Sequence, residues 1–247
     1  MEDWLYPDSL CLVSPWMDCG NVLEYLKPDP PINRLWLLSD IASGLAYLHK
    51  SDIVHGDLKG VSGHFHYTFQ QKLSSEETNV IVTSSGHASI TDFGLTKLVD
   101  LASMSWTSTN GGSARWKAPE LLADDDQNGS TPRKEMDIYA YGCVCYEVMT
   151  GKLPFFEYRR EASVILNVIG GSRPSKPDLY SEAYTKFGLT DALWELMEEC
   201  WGSNPLERPA ASGILKRSVL SAKDTRPALS IIDGSWFRSA MATLSCQ

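Results

Sequence analysis

The sequence predicts an α+β fold that is mainly helical, and three observations lead to this prediction. Apolar residues recur at helical spacing on one face of residues 33–50, at Leu38, Ile41, Ala42, Leu45 and Leu48. A second stripe of this kind consists of Leu193, Leu196, Met197 and Cys200. Two short apolar runs, 80–83 and 88–91, surround a Ser-Ser-Gly turn and predict a β-hairpin.

The elements before these can be placed in order. Residues 10–13 are an apolar run that predicts a buried strand, and residues 14–17 interrupt it before a helical pattern begins at Gly20. A loop containing Pro30 and Pro31 then leads into the helix of residues 33–50.

Later elements include one unusual helix. Residues 136–150 are apolar nearly all round, which predicts a helix buried on every side, with Gly151 as its C-cap. The helix carrying the second stripe is expected to begin after Thr190 or Asp191 as N-cap. The stretch 124–132 and the tail from about Ser221 lack a period, and we expect both to be exposed and mobile.

Composition narrows the function classes. The 247 residues carry a formal net charge of -9, which argues against a nucleic-acid groove or an anionic membrane surface, since both need clustered basic residues. The most apolar run, 138–149, is too short to span a bilayer. The six cysteines form no C-x-x-C pair, so we expect reduced thiols and a cytoplasmic location.

Five motifs follow one another along the chain. In order they are His55-Gly56-Asp57-Leu58-Lys59, Asn79, Asp92-Phe93-Gly94, Ala118-Pro119-Glu120 and Asp137-Ile138-Tyr139-Ala140-Tyr141-Gly142. Alone, His-Gly-Asp could be an ordinary turn, in which Gly and Asp are common. Together and in this order, the motifs resemble the larger, C-terminal lobe of a protein kinase. The resemblance covers roughly residues 10–215, apart from the segment 61–78.

The resemblance implies a role for each polar residue of the motifs. Asp57 would be the catalytic base, and Lys59 would contact the transferring phosphate. Asn79 and Asp92 would bind Mg²⁺ against the phosphates of ATP. At the hinge, the adenine would meet the Pro15 carbonyl and the Met17 N–H, with Ser14 as the small gatekeeper behind it. The resemblance thus implies ATP and Mg²⁺ as cofactors. A Lys at this offset from the base also indicates Ser or Thr as acceptor, as in the tyrosine-kinase-like group.

Three further residues have structural roles in the family. Asp137 would accept backbone hydrogen bonds from the catalytic loop, and the alternative interpretation as a helix N-cap is partly compatible with this role. Glu120 would pair with Arg208 and anchor a peptide-binding ledge.

The nearby Cys143 and Cys145 are interpreted as core thiols rather than as a redox or metal pair.

The chain departs from the family pattern at two places within the catalytic loop. Gly56 replaces the usual arginine before the catalytic aspartate, which argues against control by phosphorylation of the activation loop. The metal-binding asparagine is expected at position 62, where Ser62 stands, so Asn79 follows 17 residues late. The excess is either a true loop or a short non-coding stretch translated in a defective gene model, and we favour the second explanation.

A third departure concerns the smaller lobe. The sequence has no G-x-G-x-x-G loop and no V-A-I-K lysine. We therefore expect residues 1–220 to form a kinase domain with hinge and C-terminal lobe only, an insertion at 61–78 and most of the N-terminal lobe absent, followed by a tail at 221–247. Weak or absent ATP binding is the corresponding expectation.

Three functions compete on this basis. The first is a Ser/Thr protein kinase whose activity is impaired by the truncation and the insertion. Its expected partners are ATP and a protein substrate, with no nucleic acid and no membrane, and the sequence indicates no oligomeric state. The second is a non-catalytic pseudokinase or protein-binding module. The third is a small-molecule phosphotransferase of the aminoglycoside-kinase kind, which also uses His-Gly-Asp but lacks the Phe93-Gly94 and Ala118-Pro119-Glu120 pattern.

Overall fold

The computed structural model describes residues 17–27, 32–60, 78–93, 114–123 and 133–227. The α-helices are α1 Val22–Leu26, α2 Arg34–Lys50, α3 Pro119–Leu122, α4 Lys134–Thr150, α5 Glu161–Ile169, α6 Glu182–Thr185, α7 Asp191–Cys200 and α8 Ala211–Ile214. The strands are β1 Val80–Val82 and β2 Ala88–Ile90, and short 3₁₀ helices span Ala114–Trp116, Pro205–Glu207 and Ser218–Leu220. The predicted class, mainly helical with a small hairpin, is confirmed in this part of the chain.

Helix α2 begins and ends where its sequence predicts. The Asn33 side chain caps it by accepting the Leu35 N–H at 3.0 Å. The five apolar residues of the predicted stripe are all buried. They face α4, α8 and β2, and Gly44 lets β2 approach closely, since a Cβ there would lie 3.0 Å from the Ile90 side chain.

Helix α4 is the centre of the core, as its all-round apolar sequence predicts. Every residue from Met136 to Met149 is buried, and Gly151 ends the helix with a φ of 67°, a conformation that glycine adopts without strain. Three aromatic rings of α4, α7 and the turn after α7 pack together, with Trp194 edge to face against both Tyr146 and Trp201. The thiols of Cys143 and Cys145 lie in this core, where burial raises their pKa, for Cys145 to about 12.

Strands β1 and β2 form the predicted antiparallel hairpin. The register pairs Val80 with Ile90 and Val82 with Ala88. Gly86 has a φ of 79° in the turn, and its N–H donates to the Thr83 carbonyl at 2.9 Å. On its outer side, β1 meets the segment before α1, where the Val82 N–H donates to the Gly20 carbonyl at 2.9 Å.

Two expectations about element ends are settled. Thr190, not Asp191, is the N-cap of α7, because its side chain accepts the Leu193 N–H at 3.2 Å. The tail is not exposed throughout, because the Arg226 side chain is only 7% exposed, and the expectation of an exposed tail is wrong for this residue.

Among the described helices, none is both long and apolar enough to cross a membrane.

Several sequence predictions lie outside the described residues. They are the strand at 10–13, the hinge residues Ser14 and Pro15, the inserted segment up to residue 77, the activation segment 94–113, the polar stretch 124–132 and the tail after residue 227.

Candidate active site

The loop 55–60 is held to the core by Asp137 of α4. The His55 N–H donates to Asp137 Oδ2 at 2.9 Å, and the Gly56 N–H donates to Oδ1 at 2.8 Å. The imidazole of His49 adds a third contact, with Nε2 2.8 Å from Oδ2. The predicted role of Asp137 is confirmed, and the alternative of a helix N-cap is wrong, because Arg133 occupies that position.

His55 joins the same loop to the strand that leads to Asp92. Its Nδ1 accepts the Asp57 N–H at 3.2 Å, so the proton of the neutral ring is on Nε2, which lies 2.9 Å from the Thr91 carbonyl. The ring is fully buried. One histidine therefore fixes the backbone next to both acidic residues of the candidate site.

Asp57, Lys59 and Asn79 form a compact polar cluster. Lys59 Nζ lies 3.0 Å from Asp57 Oδ2, and Asn79 Nδ2 lies 3.4 Å from the same oxygen. Asn79 Nδ2 also donates to the Asp57 main-chain carbonyl at 2.5 Å. The Lys59 side chain is 3% exposed whereas that of Asp57 is 38% exposed, so the carboxylate is accessible while its cation is buried.

Residues on either side of the inserted segment meet at this cluster. The Asn79 N–H donates to the Lys59 carbonyl at 3.2 Å, although 19 residues separate them in the sequence. The insertion therefore does not remove Asn79 from Asp57. Both explanations of the excess residues are compatible with this contact.

The hairpin places Asn79 and Asp92 at the same end of its two paired strands. Asn79 lies directly before β1 and accepts the Thr91 N–H at 2.9 Å, so Asp92 is one residue beyond its partner. Asp92 has a φ of 59° and is exposed. A left-handed conformation at a non-glycine residue is uncommon, although aspartate adopts it more readily than most, and such residues cluster at active sites.

The oxygens of this region fit a hard cation. Asn79 donates its hydrogen bonds through Nδ2, and its amide oxygen accepts none from the described residues. Mg²⁺ prefers such oxygens together with one or two carboxylates. For the adenine side, Met17 is described and its carbonyl accepts the Gly20 N–H at 3.3 Å, while its predicted partner Pro15 lies outside the described residues.

Glu147 holds the other end of the loop and was missed by the sequence analysis. Its Oε2 accepts the Gly60 N–H at 3.2 Å and the indole N–H of Trp116 at 2.7 Å. Its Oε1 has no partner among the described residues. Complete burial raises the pKa of Glu147 to about 8, so a neutral carboxyl predominates at pH 7. The signal in the sequence was a single acid inside the apolar run 138–149.

A ledge next to Asp57 is held by two arginines. Arg208 binds Glu120 through two parallel contacts, Nη1 to Oε1 at 2.7 Å and Nη2 to Oε2 at 2.8 Å, as predicted. Arg115 donates to three carbonyls, those of Pro154, Phe155 and Tyr158. The ledge residues Trp116, Lys117 and Leu121 line one small cavity together with Asp57.

Comparison with protein families agrees with this geometry. A family model described as "Protein kinase domain" matches residues 76–220, more than half of the chain. The match begins after most of the inserted segment, so Asp57 and Lys59 lie outside it and the ledge and α4 lie inside it.

Individual relatives extend the similarity upstream. The chain is 30% identical over 236 residues to a light-sensor protein kinase of Ceratodon purpureus, covering 86% of this chain and 17% of the relative. It is 29% identical over 223 residues to the serine/threonine-protein kinase STY46 of Arabidopsis thaliana, covering 88% and 33%. It is 29% identical over 213 residues to the dual specificity protein kinase zakA of Dictyostelium discoideum, covering 83% and 24%. The chain thus spans a third or less of the length of these relatives.

Proposed function

This chain belongs to the protein kinase family, and on that premise we propose that it transfers the γ-phosphoryl group of ATP to serine and threonine hydroxyls of proteins. The observation that carries the proposal is the cluster in which Lys59 and Asn79 both contact one oxygen of Asp57. We place the protein in the tyrosine-kinase-like group of Ser/Thr kinases. A cytoplasmic location is part of the proposal, and the free thiols of the four described cysteines fit it.

The two oxygens of Asp57 have different tasks in this proposal. Oδ2 is held by Lys59 and Asn79, so the carboxylate cannot rotate freely. Oδ1 accepts no hydrogen bond from the described residues, and the side chain is accessible, so Oδ1 can accept the proton of an incoming hydroxyl. Orientation by two neighbours and proton acceptance are what phosphoryl transfer requires of its base.

Lys59 provides a fixed positive charge beside that oxygen. Its burial and its ion pair keep Nζ in one place, where it would stabilise negative charge on the transferred phosphoryl group without reorganisation. Asn79 and Asp92 would hold Mg²⁺, which supplies charge neutralisation on the phosphates when bound. Met17 and Pro15 would receive the adenine.

The acceptor is proposed to reach Asp57 across the ledge. The Glu120–Arg208 pair and the three carbonyl contacts of Arg115 fix the ledge against the core. A peptide lying there would present its hydroxyl to Asp57, since Trp116 and Lys117 border the same cavity. Slow turnover is expected, because the inserted segment begins directly after Gly60 and small displacements near a catalytic base cost much rate.

A second candidate function is a non-catalytic protein-binding module. The observation that favours it is the insertion itself, which interrupts the catalytic loop between Gly60 and Asn79. The ledge and helices would remain available to a partner in that case.

The test is phosphate transfer by the full chain from labelled Mg-ATP to a library of Ser-, Thr- and Tyr-containing peptides, with phosphoamino-acid analysis. We expect label on Ser and Thr, and a loss of rate of about 10²- to 10⁴-fold in Asp57→Asn. Asp52→Asn is the matched control, because Asp52 is 88% exposed and pairs with Lys134 away from the cluster. Transfer that survives Asp57→Asn would contradict the assignment of Asp57 as the base. No transfer at all by the natural chain would contradict the proposed function and favour the binding module.

A further inference from the structure

The segment directly after the family match is fastened to the hairpin that carries the proposed metal ligands. The match ends at residue 220, yet Arg226 inserts its side chain between α2 and the turn of the hairpin and is only 7% exposed. We call the group formed by Asp40, His87 and Arg226 the hairpin clamp. Asp40 lies on α2, His87 directly before β2, and Arg226 beyond the last helix.

Asp40 is the centre of the hairpin clamp. Its Oδ2 accepts the Ala88 N–H at 2.9 Å and Arg226 Nη1 at 2.8 Å. Its Oδ1 lies 3.2 Å from Arg226 Nη2 and 3.3 Å from His87 Nδ1. One carboxylate therefore connects the helix, the first residue of β2 and the tail, with a fork of two guanidinium contacts that suits arginine alone.

Arg226 and the residue after it also hold the turn directly. Arg226 Nη1 donates to the Gly86 carbonyl at 2.6 Å, and its guanidinium lies 5.3 Å from the Trp36 ring centre. The Pro227 carbonyl lies 2.9 Å from His87 Nε2. Asp224 pairs with Arg226 from the outside, and hydrogen bonding from that guanidinium lowers the pKa of Asp224 to about 2.

The hairpin clamp also answers whether these acids bind a metal. The ligand atoms of Asp40, His87 and Asp224 lie within 4.8 Å of one another, as they would in a metal site. The carboxylate oxygens of Asp40 and Asp224 that would face an ion, however, accept hydrogen bonds from Arg226. The guanidinium is therefore the cation of this cluster.

The hairpin needs an anchor of this kind. Each strand has three residues, and an isolated two-stranded hairpin is only marginally stable. The segment before α1 supports β1, through Val82 and Gly20, whereas Asp40 and Arg226 hold the turn and the start of β2. Asn79 and Asp92 lie at the opposite, open end of the same ladder, so a shift of β2 along β1 would displace Asp92 relative to Asn79.

We propose that Arg226 is a positioning residue for the Mg²⁺ site: through Asp40 and Gly86 it fixes the hairpin so that Asn79 and Asp92 stay in register, and the catalytic unit extends beyond the family match to Pro227. The inference rests on the proposed function, because it gives the tail a role in metal binding.

The experiment compares the full chain with Arg226→Ala, Arg226→Lys and Arg217→Ala. Arg217 is the matched control, an arginine of the same C-terminal region that pairs with Glu199 at the surface, away from the hairpin. Hydrogen exchange of the 78–93 peptide should be about tenfold faster in Arg226→Ala and unchanged in Arg217→Ala. The Mg²⁺ concentration for half-maximal ATP binding should rise about three- to tenfold in Arg226→Ala, with less change in Arg226→Lys and recovery at saturating Mg²⁺.

The outcomes separate this inference from the function it rests on. Unchanged exchange in Arg226→Ala overturns the hairpin clamp whether or not the chain binds ATP. Faster exchange with an unchanged Mg²⁺ requirement would reduce Arg226 to a structural residue and overturn its positioning role. A wild-type chain that binds no ATP at any Mg²⁺ concentration contradicts the proposed function and the positioning role, while the exchange comparison still decides whether Arg226 holds the hairpin.

Discussion

Asp137 and Glu147 lie on the same buried helix and hold opposite ends of the same catalytic loop, but their oxygens are satisfied differently. Asp137 uses both oxygens and receives the N–H groups of His55 and Gly56 together with His49 Nε2. Glu147 receives two donors on Oε2 alone, and its Oε1 has no partner among the described residues. They are ten positions apart, which is about 15 Å along a helix axis.

This difference separates an electrostatic anchor from a protonation-dependent one. A buried carboxylate with donors on both oxygens recovers much of the hydration it loses, whereas a carboxylate with one bare oxygen does not. Burial accordingly raises the pKa of Glu147 to about 8, and the hydrogen bonds from Trp116 and Gly60 oppose that rise only in part. The His55 end of the loop is thus held by the three donors to Asp137, whereas the anchoring of the Gly60 end by Glu147 depends on pH.

Removing the Asp137 carboxylate is expected to have the largest effect. Asp137→Ala leaves two backbone N–H groups and one imidazole without their buried acceptor, which should lower the free energy of unfolding by about 3 to 5 kcal/mol. Loss of phosphate transfer should accompany it, because His55 and Asp57 lose their fixed backbone. Denaturant unfolding and the peptide assay measure the two effects.

Asp191→Ala is the control for this first prediction, because Asp191 is exposed and its contacts with Lys176 and Tyr184 lie at the surface. Little change is expected there. Equal destabilisation by both variants would mean that the contacts to Asp137 do not anchor the loop.

The second prediction concerns the pH dependence of stability. The pKa of Glu147 is about 8 in the folded chain against a reference of 4.5. The neutral carboxyl therefore contributes to the free energy of unfolding in full below about pH 4.5. This contribution is lost as pH rises to about 8, because the carboxyl ionises in the unfolded chain before it does so in the folded chain. Glu147→Gln stays neutral and keeps an oxygen for Trp116. Its unfolding free energy relative to the natural chain should therefore improve from pH 5 to pH 8.5 by on the order of 3 kcal/mol.

Differences between the two chains cancel the titration of all other groups in this measurement. Glu195→Gln on α7 is the control, since that side chain is exposed, and its curve should run parallel to that of the natural chain. A parallel curve for Glu147→Gln as well would show that the carboxyl ionises without cost and that the two ends of the loop do not differ.

The two anchors also differ in how well a sequence reveals them. The role of Asp137 came from a resemblance between ordered motifs, which carries function along with fold. The helices α2 and α7 came from periodicity, because each buries a face that the residue pattern records. Helix α4 came from a run that is apolar nearly all round, and the hairpin came from two apolar runs around a turn. Asn79 was predicted as a metal ligand in spite of its late position, since the strand after it resumes the family pattern.

Glu147 and Arg226 could not be found in this way. Each is important because of partners distant in sequence, Gly60 and Trp116 for Glu147 and Asp40 for Arg226, and periodicity reports only local structure. A single acid within an apolar helix is a visible anomaly, but it does not say which backbone group it meets. Arg226 stands in a segment without any period, where nothing local distinguishes it from an exposed arginine.

The smallest of the three effects tests the Gly60 end by sterics. A Cβ on Gly60 would lie 2.5 Å from Glu147 Oε2 and 3.1 Å from its Cδ. The Glu147 side chain cannot move aside cheaply, because it is buried and held by Trp116. Gly60→Ala should therefore cost about 1 to 2 kcal/mol of unfolding free energy.

Gly213→Ala provides the matched control, because a Cβ there meets nothing within 4 Å and lies in α8, so a small gain in stability is expected. A double-mutant cycle then asks whether the cost belongs to the pair: in a Glu147→Ala background the added methyl group has room, and the penalty of Gly60→Ala should shrink. An undiminished penalty would place the strain elsewhere in the loop, and Glu147 would then lose its assignment as the anchor of the Gly60 end.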